Sequence, residues 1–124
     1  MHITPYMERM KTGFGWIEVG GVRYDHDIII HADRSVTKRK KKLSKGQKGN
    51  YGHTPLSDAE LGFLTGERPD MVFIGTGQYG DLPVTPAAAA ILEHHHAVIR
   101  PTPDILVLIE LEKRKYVAVL HTTC

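Results

Sequence analysis

Apolar residues first gather at Phe14-Gly15-Trp16-Ile17-Glu18-Val19, where they alternate with polar ones as in a half-buried strand. Gly20-Gly21 is a tight-turn signal, and Val22-Arg23-Tyr24 resumes the alternation, so the pair predicts a hairpin. Asp25-His26-Asp27 interrupts it. The β-branched run Ile28-Ile29-Ile30-His31 follows, expected as a third strand beside the hairpin. Residues 1–11 carry little pattern and read as a loose arm. Residues 35–53 hold almost nothing apolar beyond Val36 and Leu43, and Gly46, Gly49 and Gly52 punctuate them, which predicts a long, exposed loop.

Ser57-Asp58-Ala59-Glu60 has capping-box spacing, in which the serine hydroxyl and the glutamate carboxylate serve each other's backbone amides. A short helix to about Thr65 is expected, with Leu61 and Leu64 on one face and Gly66 as its stop. Met71-Val72-Phe73-Ile74 is too apolar to be half exposed and predicts a central strand. After the stretch Gly75 to Gly80, Thr85 is a plausible N-cap with Pro86 at the first helical position. A helix from Ala87 to about His95 and a second buried strand, Ala97-Val98-Ile99, complete a parallel, right-handed βαβ unit. The segment 104–112 is ambiguous. Thr102-Pro103-Asp104 signals a helix start, whereas Ile105, Val107 and Ile109 alternate as in a strand. The cap favours a helix, followed by a last strand over 116–121.

Composition narrows the class. The 124 residues, 41% hydrophobic and 24% charged, fit one globular domain spanning 1–124 that needs neither disulfide nor metal to hold its core. No apolar run is long enough to span a bilayer, and the N-terminus lacks the apolar core of a secretory signal. The single cysteine, Cys124, has no intramolecular partner, so a reducing cytoplasm is the expected compartment. The net charge of +2 conceals an asymmetry. Lys38, Arg39, Lys40, Lys41, Lys42, Lys45 and Lys48 supply seven of the 16 basic residues with no acid among them, which leaves the rest of the chain at −5. That block is suited to an anionic partner.

The chemically suggestive stretch is Gly75-Thr76-Gly77-Gln78-Tyr79-Gly80, a literal G-x-G-x-x-G after a strand. In a dinucleotide fold such glycines allow a tight turn and close approach to pyrophosphate. Here Asp81, Pro83 and Pro86 postpone the helix, and the next strand ends in Arg100 rather than an acid. A structural glycine turn is the plainer account. The functional alternative is a small phosphate-type anion held by free amides of Gly75–Gly80 and the helix start at Thr85, with Lys38 or Arg39 folding over it. The lysine block lacks interleaved aromatic residues before Tyr51 and matches no base-reading module, so a solvated face is favoured over a nucleic-acid surface. His94-His95-His96 closes a helix, where consecutive side chains diverge by about 100° and cannot share one metal. His121 and Cys124 pair an imidazole with a thiol, weak candidates for catalysis or metal binding, two ligands short of a structural zinc site. No catalytic set, metal site or cofactor is assigned.

Several features taken in order carry a family resemblance. They are the strand from Asp27 to His31, Ser35-Val36-Thr37-Lys38-Arg39-Lys40, Ile74-Gly75-Thr76-Gly77, Thr102-Pro103 and His121-Thr122-Thr123-Cys124. Together they resemble domain of unknown function 498, a small domain first described from a methanogenic archaeon. Relatives include a human adipogenesis-associated protein and a mitochondrial complex I assembly factor. The resemblance spans about Phe14 to Cys124. It implies a three-layer α/β fold with a mixed central sheet, one strand antiparallel to the rest, and additional N-terminal β-structure. It also implies a helix from Thr102 to about Arg114, whose apolar outer face is expected to be covered in an oligomer. It brings no settled activity. The leading expectation is a cytoplasmic, non-catalytic binding or assembly and regulatory factor with a protein partner. An enzyme or sensor for an anionic ligand at Gly75–Gly80 and a nucleic-acid binder through Lys38–Lys48 are the alternatives.

Overall fold

The computed structural model describes residues 9–124. Most of the arm expected over 1–11 lies outside the described residues, but its last part is a strand. β1 (Met10–Gly13), β2 (Trp16–Val19) and β3 (Val22–Tyr24) form a three-stranded antiparallel sheet in that order. The third strand of this sheet is therefore β1. The Ile28–Ile30 run, expected beside the hairpin, is β4 of a second sheet. Asp25–Asp27 is long enough to carry the chain from one sheet to the other.

That second sheet adds β5 (Val36–Lys38), β6 (Met71–Thr76), β7 (Val98–Arg100) and β8 (Tyr116–His121) in the order β5-β4-β8-β6-β7. β4 runs antiparallel to both neighbours, and β6 is parallel to both of its own. The sheet is thus mixed with one reversed strand. Period-two alternation sorts its side chains. Ile28, Ile30, Phe73, Tyr116, Ala118 and Leu120 face one layer, whereas Ile29, Val72, Ile74, Val117 and Val119 face the other. The three-stranded sheet and α4 (Thr102–Leu111) cover the first face. The second is covered by α2 (Phe63–Glu67), α3 (Pro86–His94) and the segment around Leu56 and Leu61. Strands buried on both sides require such unbroken apolar runs. β7, expected to be buried, is instead a half-buried edge strand, since among the described residues no strand pairs with its outer side.

The ambiguous segment is helical. Thr102, Ile105, Leu106 and Ile109 are its buried positions, the spacing of one helix face. The apparent alternation through Val107 arose because that residue points outward. At α3, Thr85 accepts a hydrogen bond from the Ala88 amide at 3.2 Å and Pro86 sits at the start, as expected. Two other helix signals were misleading. Ser57 makes no capping bond, and Asp58–Glu60 is a single 3-10 turn. Gly66 lies inside α2, which ends instead at Arg68 in the left-handed conformation. The expected loop over 35–53 is also replaced by structure. It contains β5, a 3-10 stretch over Lys41–Gln47 and the short helix α1 (Lys48–Tyr51), because two of its polar residues, Arg39 and Ser44, are anchored in the interior.

Candidate functional site

Sheet register assembles the site. Ile28 lies opposite Lys38 on one side and Leu120 on the other. The next position along therefore sets Arg39, Asp27 and His121 in one row at the ends of β5, β4 and β8. Thr76 extends the row, opposite His121 on β6. Arg39, Asp27 and His121 are buried and joined. The Arg39 Nη1 donates to Asp27 Oδ2 at 2.9 Å, and His121 Nδ1 lies 2.7 Å from the same oxygen. The other oxygen, Oδ1, accepts from the amide and the hydroxyl of Thr122 at 2.8 and 3.0 Å.

Arg39 uses the rest of its fork on Glu60, with Nε to Oε1 at 2.7 Å and Nη2 to Oε2 at 2.9 Å, and on the Pro55 carbonyl. Ser44 donates to Glu60 at 2.5 Å, so the Ser57 hydroxyl must be the donor in its 2.6 Å bond to Ser44. The capping-box residues thus turn inward. Glu60 serves a buried guanidinium because an unpaired cation at that depth would cost several kcal/mol, more than a cap is worth (about 1 kcal/mol). Among the described residues, no buried side-chain nitrogen or oxygen lacks a partner.

Each charge in the network has an opposite partner. Burial alone would raise the Asp27 carboxyl, but His121, the Thr122 amide and Lys41 outweigh it and hold the group well below the carboxylate range. For Arg39, burial works against the charge, and Glu60 and Asp27 raise its pKa despite it. With Asp27 ionised, His121 presents a proton to it on Nδ1. Its Nε2 is hydrogen-bonded with the Thr123 hydroxyl at 3.1 Å. Cys124 lies beside His121 on a small cleft of about 210 Å³, yet both ring nitrogens of His121 are already engaged by Asp27 and Thr123. Among the described residues, no group of three His, Cys, Asp or Glu side chains is placed to hold a metal ion.

Above this network lies a groove of about 1020 Å³. Asp27, Arg39, Thr122 and Thr123 contribute to its lining, together with Gly15, Asp25 and His26. Lys38, Lys40, Lys41, Lys42 and Lys45 surround it and are exposed. Asp25 is paired with Arg23 at 2.9 Å, and Asp27 is neutralised from within. Lys41 Nζ lies 3.9 Å from Asp27 with about half its side chain exposed, at the boundary between network and groove.

The glycine stretch is elsewhere and otherwise employed. No residue from Gly75 to Gly80 lines the groove that Lys38 enters, and Arg39, only 2% exposed, lies at its floor with its guanidinium engaged by Asp27, Glu60 and Pro55. The amides of Gln78, Tyr79 and Asp81 donate to the carbonyls of Thr123 and Cys124, at 2.6, 3.3 and 2.9 Å. Gly77 has φ +101°, and a Cβ there would stand 2.4 Å from the Cys124 carbonyl carbon. A Cβ at Gly75 would stand 2.6 Å from Thr102 Oγ1. Thr102 itself accepts from the Gly77 amide at 2.9 Å and donates to the His121 carbonyl at 2.6 Å, so it is a buried strut rather than a cap. Thr76 is buried, and Thr85 is bound to the start of α3. The glycines thus permit the last residues of the chain to lie against the end of β6.

Sequence reasoning passed over Asp27, Ser44 and Glu60. One signal was available. A single arginine within a run of lysines marks a place where a rigid fork is needed and a flexible ammonium would not serve.

The profile of the family described as "Protein of unknown function (DUF498/DUF598)" matches residues 10–103. The chain belongs to this family. The conserved hypothetical protein PH1505 from Pyrococcus horikoshii OT3 is 30% identical, with a TM-score of 0.81 over 94% of this chain and 99% of that one. A structure titled MT938 is 29% identical, with a TM-score of 0.78 over the same shares. A Bordetella pertussis protein described as a Mth938-like domain shares the fold at 19% identity and a TM-score of 0.55, over 98% of this chain and 91% of that one. No curated protein matches the chain. The family assignment and the mixed-sheet architecture agree with the resemblance read from the sequence. Among the described residues, no helix is long and apolar enough to cross a membrane.

Proposed function

We propose that this protein binds small, phosphate-bearing anions in the lysine-rimmed groove. The observation that carries this reading is the convergence of Lys38, Lys40, Lys41, Lys42 and Lys45 on one groove whose nearby acids, Asp25 and Asp27, are already paired. Five ammonium groups on flexible stems form an electropositive rim that one polyanion can neutralise. The groove volume matches that of sites for single small ligands, which favours such a molecule over the extended backbone of a nucleic acid. Anion binding through the amides of Gly75–Gly80 is less well supported, since those of Gln78 and Tyr79 hold the carbonyls of Thr123 and Cys124 and that of Gly77 is bound to Thr102.

Inorganic tripolyphosphate is the probe for the groove. At about one hundred times its dissociation constant it should add roughly 2.7 kcal/mol to the stability of the wild type. The gain should shrink with added salt and disappear in Lys41→Glu/Lys45→Glu. A melting temperature unmoved by tripolyphosphate at low salt refutes the reading.

A second reading, an assembly or regulatory role through protein contact, is favoured by α4. Val107, Leu108 and Leu111 are exposed on its outer face, 60%, 39% and 72% respectively. This reading is decided by the sedimentation state of the pure protein and of variants on that face.

A further inference from the structure

We infer that the ligand of the lysine-rimmed groove is a nucleoside polyphosphate, whose base stacks on an exposed aromatic pair formed by Phe14 and Tyr79. The inference rests on the groove reading above and adds the chemical class of the ligand's uncharged end. One wall of the groove contains Gly15, Thr122 and Thr123. The Gly15 amide donates to the Thr122 carbonyl at 2.8 Å, so the tip of the β1–β2 hairpin is fastened to the segment after β8. That fastening sets Phe14 one residue beyond the wall. On the other side of the same segment, the Gln78 amide is bound to Thr123 and the Tyr79 amide to Cys124. The two rings come together from opposite loops, with centroids 6.2 Å apart and planes tilted by 39°.

Both rings are mostly in water, Phe14 at 60% and Tyr79 at 70% exposure. Exposed aromatic residues held in register by main-chain bonds on two sides offer a pre-ordered apolar face beside a cationic one. A flat heteroaromatic ring stacks on such a face whatever its hydrogen-bonding edge, while ammonium groups take the charge. The Thr12 hydroxyl steadies the arrangement, since Gln78 Nε2 donates to it at 3.0 Å. A bare oxyanion would use the lysines and leave the aromatic pair idle. A ligand with phosphates at one end and a planar ring at the other engages both.

The test is calorimetric titration of the wild type with ATP and, separately, with inorganic tripolyphosphate, repeated on Phe14→Ala/Tyr79→Ala. These two side chains are exposed, so the variant should melt within a few degrees of the wild type, and its circular dichroism checks that it is folded. The expected result is that ATP binds the wild type about tenfold more tightly than tripolyphosphate. The double variant should lower ATP to the affinity of tripolyphosphate and leave tripolyphosphate unchanged. Equal affinities for the two ligands in the wild type overturn the inference while the groove reading stands. A preference for ATP that survives in the double variant also overturns it. Binding of neither ligand overturns the groove reading and the inference with it.

Discussion

Replacing Asp27 by asparagine alters one atom in the row that joins three strands, and its cost can be worked from the geometry. The retained oxygen can still accept from the amide and hydroxyl of Thr122. The new NH₂ faces Arg39 Nη1, formerly 2.9 Å from an anionic oxygen, and His121 Nδ1, formerly at 2.7 Å. His121 can answer by moving its proton to Nε2. Arg39 has no such recourse, because a guanidinium only donates. Its charge is then balanced by Glu60 alone, in a place 2% exposed. Breaking one side of a buried ion pair costs about 3–5 kcal/mol. At roughly 4 °C per kcal/mol, the melting temperature should fall by about 10–20 °C.

Urea unfolding followed by Trp16 fluorescence reads the loss directly, since this is the single tryptophan. The pH dependence supplies a second check. The folded carboxyl of Asp27 titrates below its ordinary value of 3.8. Its contribution is therefore fully present above about pH 4 and is lost as the pH falls toward the depressed folded value. The stability gap between wild type and Asp27→Asn should narrow as the pH is lowered from about 5 to about 3. A gap below about 1 kcal/mol at neutral pH, or one that does not change with acid, would refute the assignment of Asp27 as the keystone of the row.

Gly77→Val should destabilise the protein by about 2–6 kcal/mol, through a side chain at positive φ and a contact with the Cys124 carbonyl that something must give way to relieve. A urea midpoint within error of the wild type would show that the residues after β8 are not held there. On α4, Val107→Lys/Leu111→Lys should leave the melting temperature nearly unchanged, since both residues are exposed. If the assembly reading is right, the same variant shifts the protein to monomer by analytical ultracentrifugation. A wild type that sediments as a monomer at high concentration removes self-association.

The architecture was legible wherever side-chain rhythm and burial agree. Met71–Ile74 is apolar throughout because β6 is covered on both faces, and Thr85-Pro86 starts α3 because both residues satisfy the first turn locally. The basic stretch was misread for a physical reason. Its composition records the exposed ammonium groups, whereas its conformation is set by Arg39 and Ser44, whose partners Asp27, Glu60 and Ser57 lie 12 to 21 residues away. The capping box failed for the same reason, because Glu60 has a stronger partner than any amide within reach. The glycine pattern was recognised, but its explanation depends on residues 102, 123 and 124, which no local window contains. The groove falls between. Its lysines were visible as a charge block, while their meeting with Gly15 and Thr123 required the sheet order.

That order bears on how the chain is made. β8 follows the other described strands in sequence, yet it lies between β4 and β6, in the middle of the five-stranded sheet. On the ribosome, the β4–β5 pair and the β6–β7 pair emerge earlier, each with an unoccupied edge facing the gap that β8 will fill. Those edges are the places where a second nascent chain can pair by mistake. Closing the gap joins residues some 90 positions apart, such as Ile28 with Leu120, a long-range step of the kind that slows folding. β8 thus enters a sheet whose flanking pairs are already made, and quality control by chaperones has its clearest target in the interval just before residue 121 emerges.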